Sequence, residues 1–308
     1  MANIKSTRTF FSFVYPRLVA LNTTLIAAVL ACACSGNPAA PTTPTQAVTT
    51  APIVTPPAVD PRVLHGTVTT LTINNKTAYV VTPDPGVGAP NAVRPWIWFM
   101  PATYFTSGPI AGQGADYVNA WLDAGFYIGA IEAGPTCGSP AGTALFEAFY
   151  QKMTTSYPVA SRARIFASSR GGLDAYAFAE RHPDQVDRIG GIYPAVDWRD
   201  WPGLDGLPGY TVDVLGFTPT ELANQDALNP INNLKPMAEA RIPLFDLHGD
   251  QDETVHLAPN SQEVAKRYAA LGGSITLVVL PGRGHEAYGF FRQDMIDFLL
   301  AGSISARR

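Results

Sequence analysis

The sequence predicts a single α/β domain: a mostly parallel sheet of eight strands with helices on both faces and a short cap insertion. Three observations carry that expectation. Short apolar, β-branched runs take turns with longer amphipathic stretches, the rhythm of parallel strands joined by crossover helices. The runs are close to continuously apolar, as strands covered on both faces must be. With 308 residues, the chain is long enough to bury one large core.

Taken in order, alternation over Val63 to Ile73 and Thr77 to Thr82, split by Asn74-Asn75-Lys76, predicts an antiparallel hairpin opening the sheet. The later strands are expected at Trp96 to Met100, Phe126 to Ile131, Ala163 to Ala167, Arg188 to Tyr193, Pro243 to Leu247 and Ile275 to Leu280. Between them, apolar residues recurring at three and four predict helices over 114–124, 141–156, 171–182, 258–271 and 288–301. One interval, 197–236, breaks the rhythm. It is rich in Trp, Pro and Gly and holds only a short helical piece near Thr220 to Ala227. An insertion after a central strand of an open sheet lies over the carboxyl edges, where ligands bind, so this segment is expected to form a cap or cleft wall.

The amino-terminal part reads differently. Lys5, Arg8 and Arg17 precede an apolar run from Leu18 to Ala31, the pattern of an export signal, and Val29-Leu30-Ala31-Cys32 resembles a bacterial lipobox. That resemblance implies cleavage and lipidation of Cys32, with Cys34 a second candidate, and an exported protein anchored to a membrane in the periplasm or at the cell surface. An ordinary signal peptide cut near Ala33 would instead give a secreted protein. Residues 35–61 are rich in Pro, Thr and Ala and almost uncharged, the composition of a solvated tether. The expected organisation is therefore 1–34 signal, 35–61 linker and 62–304 catalytic domain. A net charge of -4 gives no basic patch for nucleic acid. Cys137, alone inside the domain, reads as a small buried hydrophobe and is assigned no chemistry.

The chemistry is concentrated in three loops. In Ala167-Ser168-Ser169-Arg170-Gly171-Gly172 a strand runs straight into a helix, with small residues two before and two after Ser169. The order small-x-Ser-x-Gly resembles the nucleophile elbow of the α/β-hydrolase fold, with Ala167 in the place of the first glycine. Ser168 would put Arg170 where the turn needs a small residue, so Ser169 is the expected nucleophile. A serine hydroxyl needs a histidine base, and the base an acid to orient it. In this fold they follow in the order Ser, acid, His. Of five histidines, His285 alone lies in a glycine-rich loop, Pro281 to Glu286, just past the last strand. His65 and His182 come too early, His248 ends a strand, and His256 shares a loop with the acid. That loop, His248-Gly249-Asp250-Gln251-Asp252-Glu253-Thr254-Val255, offers two carboxylates, Asp250 and Asp252. No further ligand at metal spacing accompanies them, so neither a metal nor a cofactor is expected.

The frame His-Gly-x-x-Asp-x-x-Val resembles the acid loop of many α/β-hydrolases, and the resemblance selects Asp252. Together with Arg94 to Trp98, Cys137 to Pro140, Ser169 to Gly172 and Asp197 to Gly203, it makes the chain look like a bacterial esterase branch of that superfamily, near the prolyl-oligopeptidase-like and carbohydrate-esterase groups. The resemblance implies a serine hydrolase cleaving carboxylic esters, including acetyl or related esters of saccharides, through an acyl-enzyme. The alternatives are a peptidase of prolyl-oligopeptidase-like fold and a non-catalytic surface binding protein. An oxyanion hole is expected from the backbone N–H of Arg170 and from the loop after Met100, at Thr103. Tyr104, Trp198 and Trp201 are expected to face the cleft, where flat rings hold sugars or acyl chains.

Overall fold

The computed structural model describes residues 64–87, 92–102, 113–203, 220–221, 224–286 and 290–302. The expected signal and linker, with Cys32 and Cys34, lie outside the described residues, as do Thr103, Tyr104 and 204–219 of the insertion.

The hairpin pairs β1 (Gly66–Ile73) with β2 (Lys76–Pro83) in full antiparallel register. Its turn is Asn74-Asn75, both at positive φ, 48° and 62°. Two successive left-handed residues make the hairpin turn whose twist matches the strands, and asparagine tolerates that region better than most residues. The other strands are β3 (Trp96–Met100), β4 (Tyr127–Ile131), β5 (Ala163–Ser168), β6 (Val186–Ile192), β7 (Leu244–Gly249) and β8 (Ile275–Leu280). They form one eight-stranded sheet in the order β1-β2-β4-β3-β5-β6-β7-β8, antiparallel at β1, β2 and β4 and parallel from there on. This is the α/β-hydrolase fold. From β3 the chain crosses to β4 on one side, then returns to place β5 on the other side. The carboxyl ends of β3 and β5 therefore flank a topological switch point, where an open sheet leaves a crevice.

Strand periodicity divides the core into two layers. Trp96, Trp98 and Met100 face one layer, built with Phe146, Phe149 and Met153 of α2 (Pro140–Ser156) and Phe178 of α3 (Gly171–Arg181). Ile97, Phe99 and Phe166 face the other, against Tyr117 and Trp121 of α1 (Gln113–Asp123) and Met295 and Leu299 at the carboxyl end. The last helix ends under the buried guanidinium of Arg164, which donates to the carbonyls of Leu299 and Gly302 and pairs with Asp187 at 3.1 Å. A cation there suits the negative end of the helix.

Two helices depart from their periodic pattern, and in both a tertiary contact overrides it. The stretch expected as one helix over 258–271 is a π-turn, Ala258–Gln262, followed by a helix, Glu263–Ala270. Within the turn, the Asn260 side chain accepts the N–H groups of Val196 and Asp197 and so ties it to the exit of β6. The last helix begins only at Gln293, not near 288, because the Tyr117 hydroxyl donates to Phe290 O at 2.5 Å and accepts from Arg292 N–H at 3.0 Å, holding that entry extended.

Between β6 and β7 the ends of the insertion meet at a neck. Asn229 accepts the Trp198 N–H at 3.1 Å and donates to Asp197 Oδ1 at 2.7 Å, while Ile231 N–H reaches Val196 O at 3.1 Å. Short helices at Gln225–Leu228 and Lys235–Glu239 then lead into β7. No helix among the described residues is long and apolar enough to cross a membrane.

Candidate active site

Ser169 directly follows β5 in the left-handed region, at φ +53°, a conformation a serine keeps only where its surroundings force it. Here the forcing groups are visible. Its N–H donates to Ile192 O at 3.0 Å, and its own carbonyl accepts from Gly172 and Ala195, each at 2.9 Å. A side chain on Gly171 would put its Cβ 2.5 Å from Met100 O, and one on Gly172 would lie 2.5 Å from Ala195 O. Those two glycines let the new helix press against the ends of β3 and β6, and the serine is pushed out above the sheet.

Ser169 Oγ lies 2.8 Å from His285 Nε2, and His285 Nδ1 lies 2.8 Å from Asp252 Oδ2. A carboxylate only accepts, so Nδ1 carries the proton and Nε2 is left to take one from the serine. The other Asp252 oxygen accepts the N–H groups of Thr254 and Val255, both at 2.9 Å. Burial pushes the Asp252 carboxyl up, but the His285 bond and the two backbone bonds outweigh it and hold the group below the usual carboxylate range. The structure thus puts Asp252, not Asp250, against the imidazole. Asp250 braces the base loop instead, accepting Gly282 N–H at 2.7 Å, while Gln251 N–H donates to Arg283 O at 2.8 Å. Gly249 allows this approach, since a Cβ there would lie 2.1 Å from Arg283 O.

A sequence model of the prolyl oligopeptidase family matches residues 146–300, half of the chain. The chain belongs to this family. Similar solved structures share its fold. Porphyromonas gingivalis dipeptidyl peptidase 4 is 16% identical, with a TM-score of 0.57 over 76% of this chain and 35% of that one. Puromycin hydrolase is 15% identical, with a TM-score of 0.57 over 80% of this chain and 39% of that one. Pyrococcus horikoshii acylaminoacyl peptidase is 14% identical, with a TM-score of 0.55 over 76% of this chain and 40% of that one. The chain thus spans less than half the length of each. No curated protein matches it.

In this member of the prolyl oligopeptidase family the walls of the site are partly other than the sequence suggests. Trp198 does not face the cleft. Its ring is fully buried with Cys137, Leu173, Ala195 and Val255, and its Nε1–H donates to Cys137 O at 3.0 Å. An indole buries best where its N–H finds a partner, and this carbonyl supplies one. Trp201 is half-buried and packs on the same cluster. The Thr136-Cys137-Gly138 loop beneath is held from α3: buried Asp174 accepts from Thr136 Oγ1 at 2.6 Å and from Gly138 N–H at 2.8 Å. Cys137 is a free, buried thiol, pushed upward in pKa by burial. Arg170, half-buried, follows the nucleophile at the start of α3. Among the described residues no group of three or more His, Cys, Asp or Glu could hold a metal.

Tyr193 is the residue that sequence reading missed. It also sits at positive φ, 37°. Its ring lies on the His285 imidazole with centroids 4.3 Å apart, and its hydroxyl donates to Glu286 O at 2.8 Å. One side chain thus fixes both the base and its loop. The available signal was its place, directly after β6 and next to Pro194.

Replacing Tyr193 by Phe keeps the ring and loses the bond to Glu286, so kcat/KM for a p-nitrophenyl ester is expected to fall about fivefold, the equivalent of roughly 1 kcal/mol. Tyr193→Ala is expected to fall further, and equal rates for all three proteins would refute the clamp. Asp174 gives a pH prediction. Burial, only partly offset by Thr136 and Gly138, raises its pKa to about 6, against about 3.9 in an unfolded chain. The folded state binds the proton more tightly, so this contribution is complete below about pH 3.9 and is lost as pH rises through about 6. Urea unfolding of Asp174→Asn should show its deficit against wild type shrinking between pH 4 and pH 7, by on the order of 3 kcal/mol. A constant deficit would contradict the assignment.

Proposed function

We propose that the chain is a serine hydrolase that cleaves peptide or aminoacyl amide bonds through an acyl-enzyme. The observation that carries the acyl-enzyme step is the unbroken relay from Ser169 through His285 to Asp252, with both links at 2.8 Å. Ser169 Oγ attacks the carbonyl carbon as its proton passes to His285 Nε2, and Asp252 stabilises the imidazolium. The oxyanion is received by the backbone N–H of Arg170, with a second donor from the loop after β3, where Thr103 is the candidate. Nε2–H then protonates the departing amine, and water, deprotonated by the same imidazole, releases the acid.

Family membership supports amides as the substrate class, as do the names of the similar structures: a dipeptidyl peptidase, an acylaminoacyl peptidase and a puromycin hydrolase. Carboxylic esters, acetylated saccharides included, are the second reading. The same relay serves them, and an alcohol leaves with less help from the acid than an amine needs. Trp201 and Tyr104 are the candidate contacts for either substrate. A complete relay speaks against a non-catalytic binding protein.

A panel of aminoacyl p-nitroanilides, p-nitrophenyl esters and acetylated sugars, run on wild type and Ser169→Ala, tests this. Amide turnover is expected in wild type, with a loss of about 1,000-fold or more in the variant. Hydrolysis of esters alone would move the assignment to the second reading, and hydrolysis unchanged by the mutation would remove the acyl-enzyme altogether.

We also propose export and lipid anchoring at Cys32, supported by the charged, apolar and Leu-Ala-Cys order of the leader. Expressed in a bacterium fed labelled palmitate, the wild type should carry label and partition into detergent, and Cys32→Ala should do neither. Label retained by that variant would point to Cys34, and no label in wild type would refute the anchor.

A further inference from the structure

The catalytic relay leaves a buried polar column unused. Side chains two apart on a strand share a face, so Asp246 and His248 of β7 point into the same layer. Both are fully buried. His248 Nε2 lies 2.8 Å from Val255 O, and His248 Nδ1 lies 2.8 Å from Ser261 Oγ in the π-turn. The catalytic carboxylate is close by, with Asp252 Oδ2 3.7 Å from His248 Nε2.

The chemistry of these partners fixes the tautomer of His248. A carbonyl only accepts, so Nε2 carries the hydrogen. Burial lowers the pKa of His248 to about 4, with the Val255 bond and Asp252 opposing in part, so the ring is neutral at physiological pH. Its Nδ1 is then bare and accepts a hydrogen bond from the Ser261 hydroxyl. Below stands Asp246, neither of whose oxygens has a well-formed hydrogen bond. Burial raises its pKa to about 7. Room for that carboxyl comes from Gly191, the register partner of Asp246, where a Cβ would lie 2.4 Å from Asp246 Oδ1.

The upper end of the column acts on the acid. Val255 receives the His248 N–H on its carbonyl, gives its own N–H to Asp252 Oδ1, and buries its side chain beside Trp198. We propose that His248 is a positioning residue of the triad: through Val255 it sets the orientation of the Asp252 carboxylate, and Ser261 locks the ring in the tautomer that does so. The proposal rests on the acyl-enzyme reading above.

The test uses the purified chain with a fluorophosphonate probe that labels Ser169, p-nitrophenyl acetate turnover, and the low-field proton resonance of the His285–Asp252 hydrogen bond. His248→Phe keeps the ring volume and removes both bonds. It should slow labelling about 10- to 100-fold, the scale of a small misplacement, lower kcat with little change in KM, and shift or broaden the low-field resonance. His248→Gln carries an amide nitrogen near the place of Nε2 and should recover labelling to within a few-fold of wild type. Ser261→Ala keeps the Nε2–H bond but frees the tautomer, so it should fall about fivefold, and it decides the matter if His248→Phe does not fold. Wild-type labelling and resonance in folded His248→Phe or Ser261→Ala would overturn the proposal, as would His248→Gln being as slow as His248→Phe. A wild-type protein that never labels, or a Ser169→Ala that still does, would instead overturn the acyl-enzyme reading.

Discussion

Two backbone approaches too close for any side chain hold the catalytic centre together. Gly171 lies against the last carbonyl of β3, and Gly172 against the carbonyl of Ala195 beyond β6. With both sides occupied, the residue before them has one way to turn, and Ser169 takes the left-handed conformation. Adding a methyl group on either side would require backbone, not a flexible side chain, to move. Strain at the serine is therefore sustained by the packing of a whole helix on two strands, which is how an unfavourable local conformation survives in a stable domain.

The base and the acid reach the serine from loops 116 and 33 residues apart from their respective partners. Long loops alone would not hold a geometry of tenths of an ångström. Each is instead tied to the other, through Asp250 to Gly282 and Gln251 to Arg283, and to β6 through Tyr193. The carboxylate that orients the base is satisfied by backbone donors on one oxygen and by the imidazole on the other. A buried charge without those partners would neutralise itself by taking up a proton.

What could be read from sequence is what is encoded locally. The strands, the elbow and the hairpin each depend on neighbours a few residues away, and the small residues around Ser169 announce the turn directly. His285 could be found by elimination because so few histidines are present. Asp250 and Asp252 occupy one loop and differ only in what each meets across space. Trp198 was misread for a related reason. Tryptophans in a Pro- and Gly-rich segment suggest a binding wall, but the partner that draws this ring inward is a carbonyl 61 residues earlier in the chain. Tyr193 and Asn260 carry no local signal because their contacts are equally remote, and His248 carries none because its partners lie across the acid loop and the π-turn. Helix boundaries slipped where Asn260 and Tyr117 supply hydrogen bonds that periodicity does not register.

The neck of the insertion bears on how this fold can change. Asn229 and Ile231 fasten the returning chain to Asp197, Trp198 and Val196, so the two ends of the segment are held in place before anything between them is specified. The entropy of closing a loop grows only with the logarithm of its length. Added residues between those two fastened ends therefore place little extra entropic demand on the domain, whereas Asp200 at the near end accepts from His256 N–H and Asn260 Nδ2 and so steadies the chain after the acid loop. The segment is a site where length can drift at small entropic cost while its two ends stay fixed.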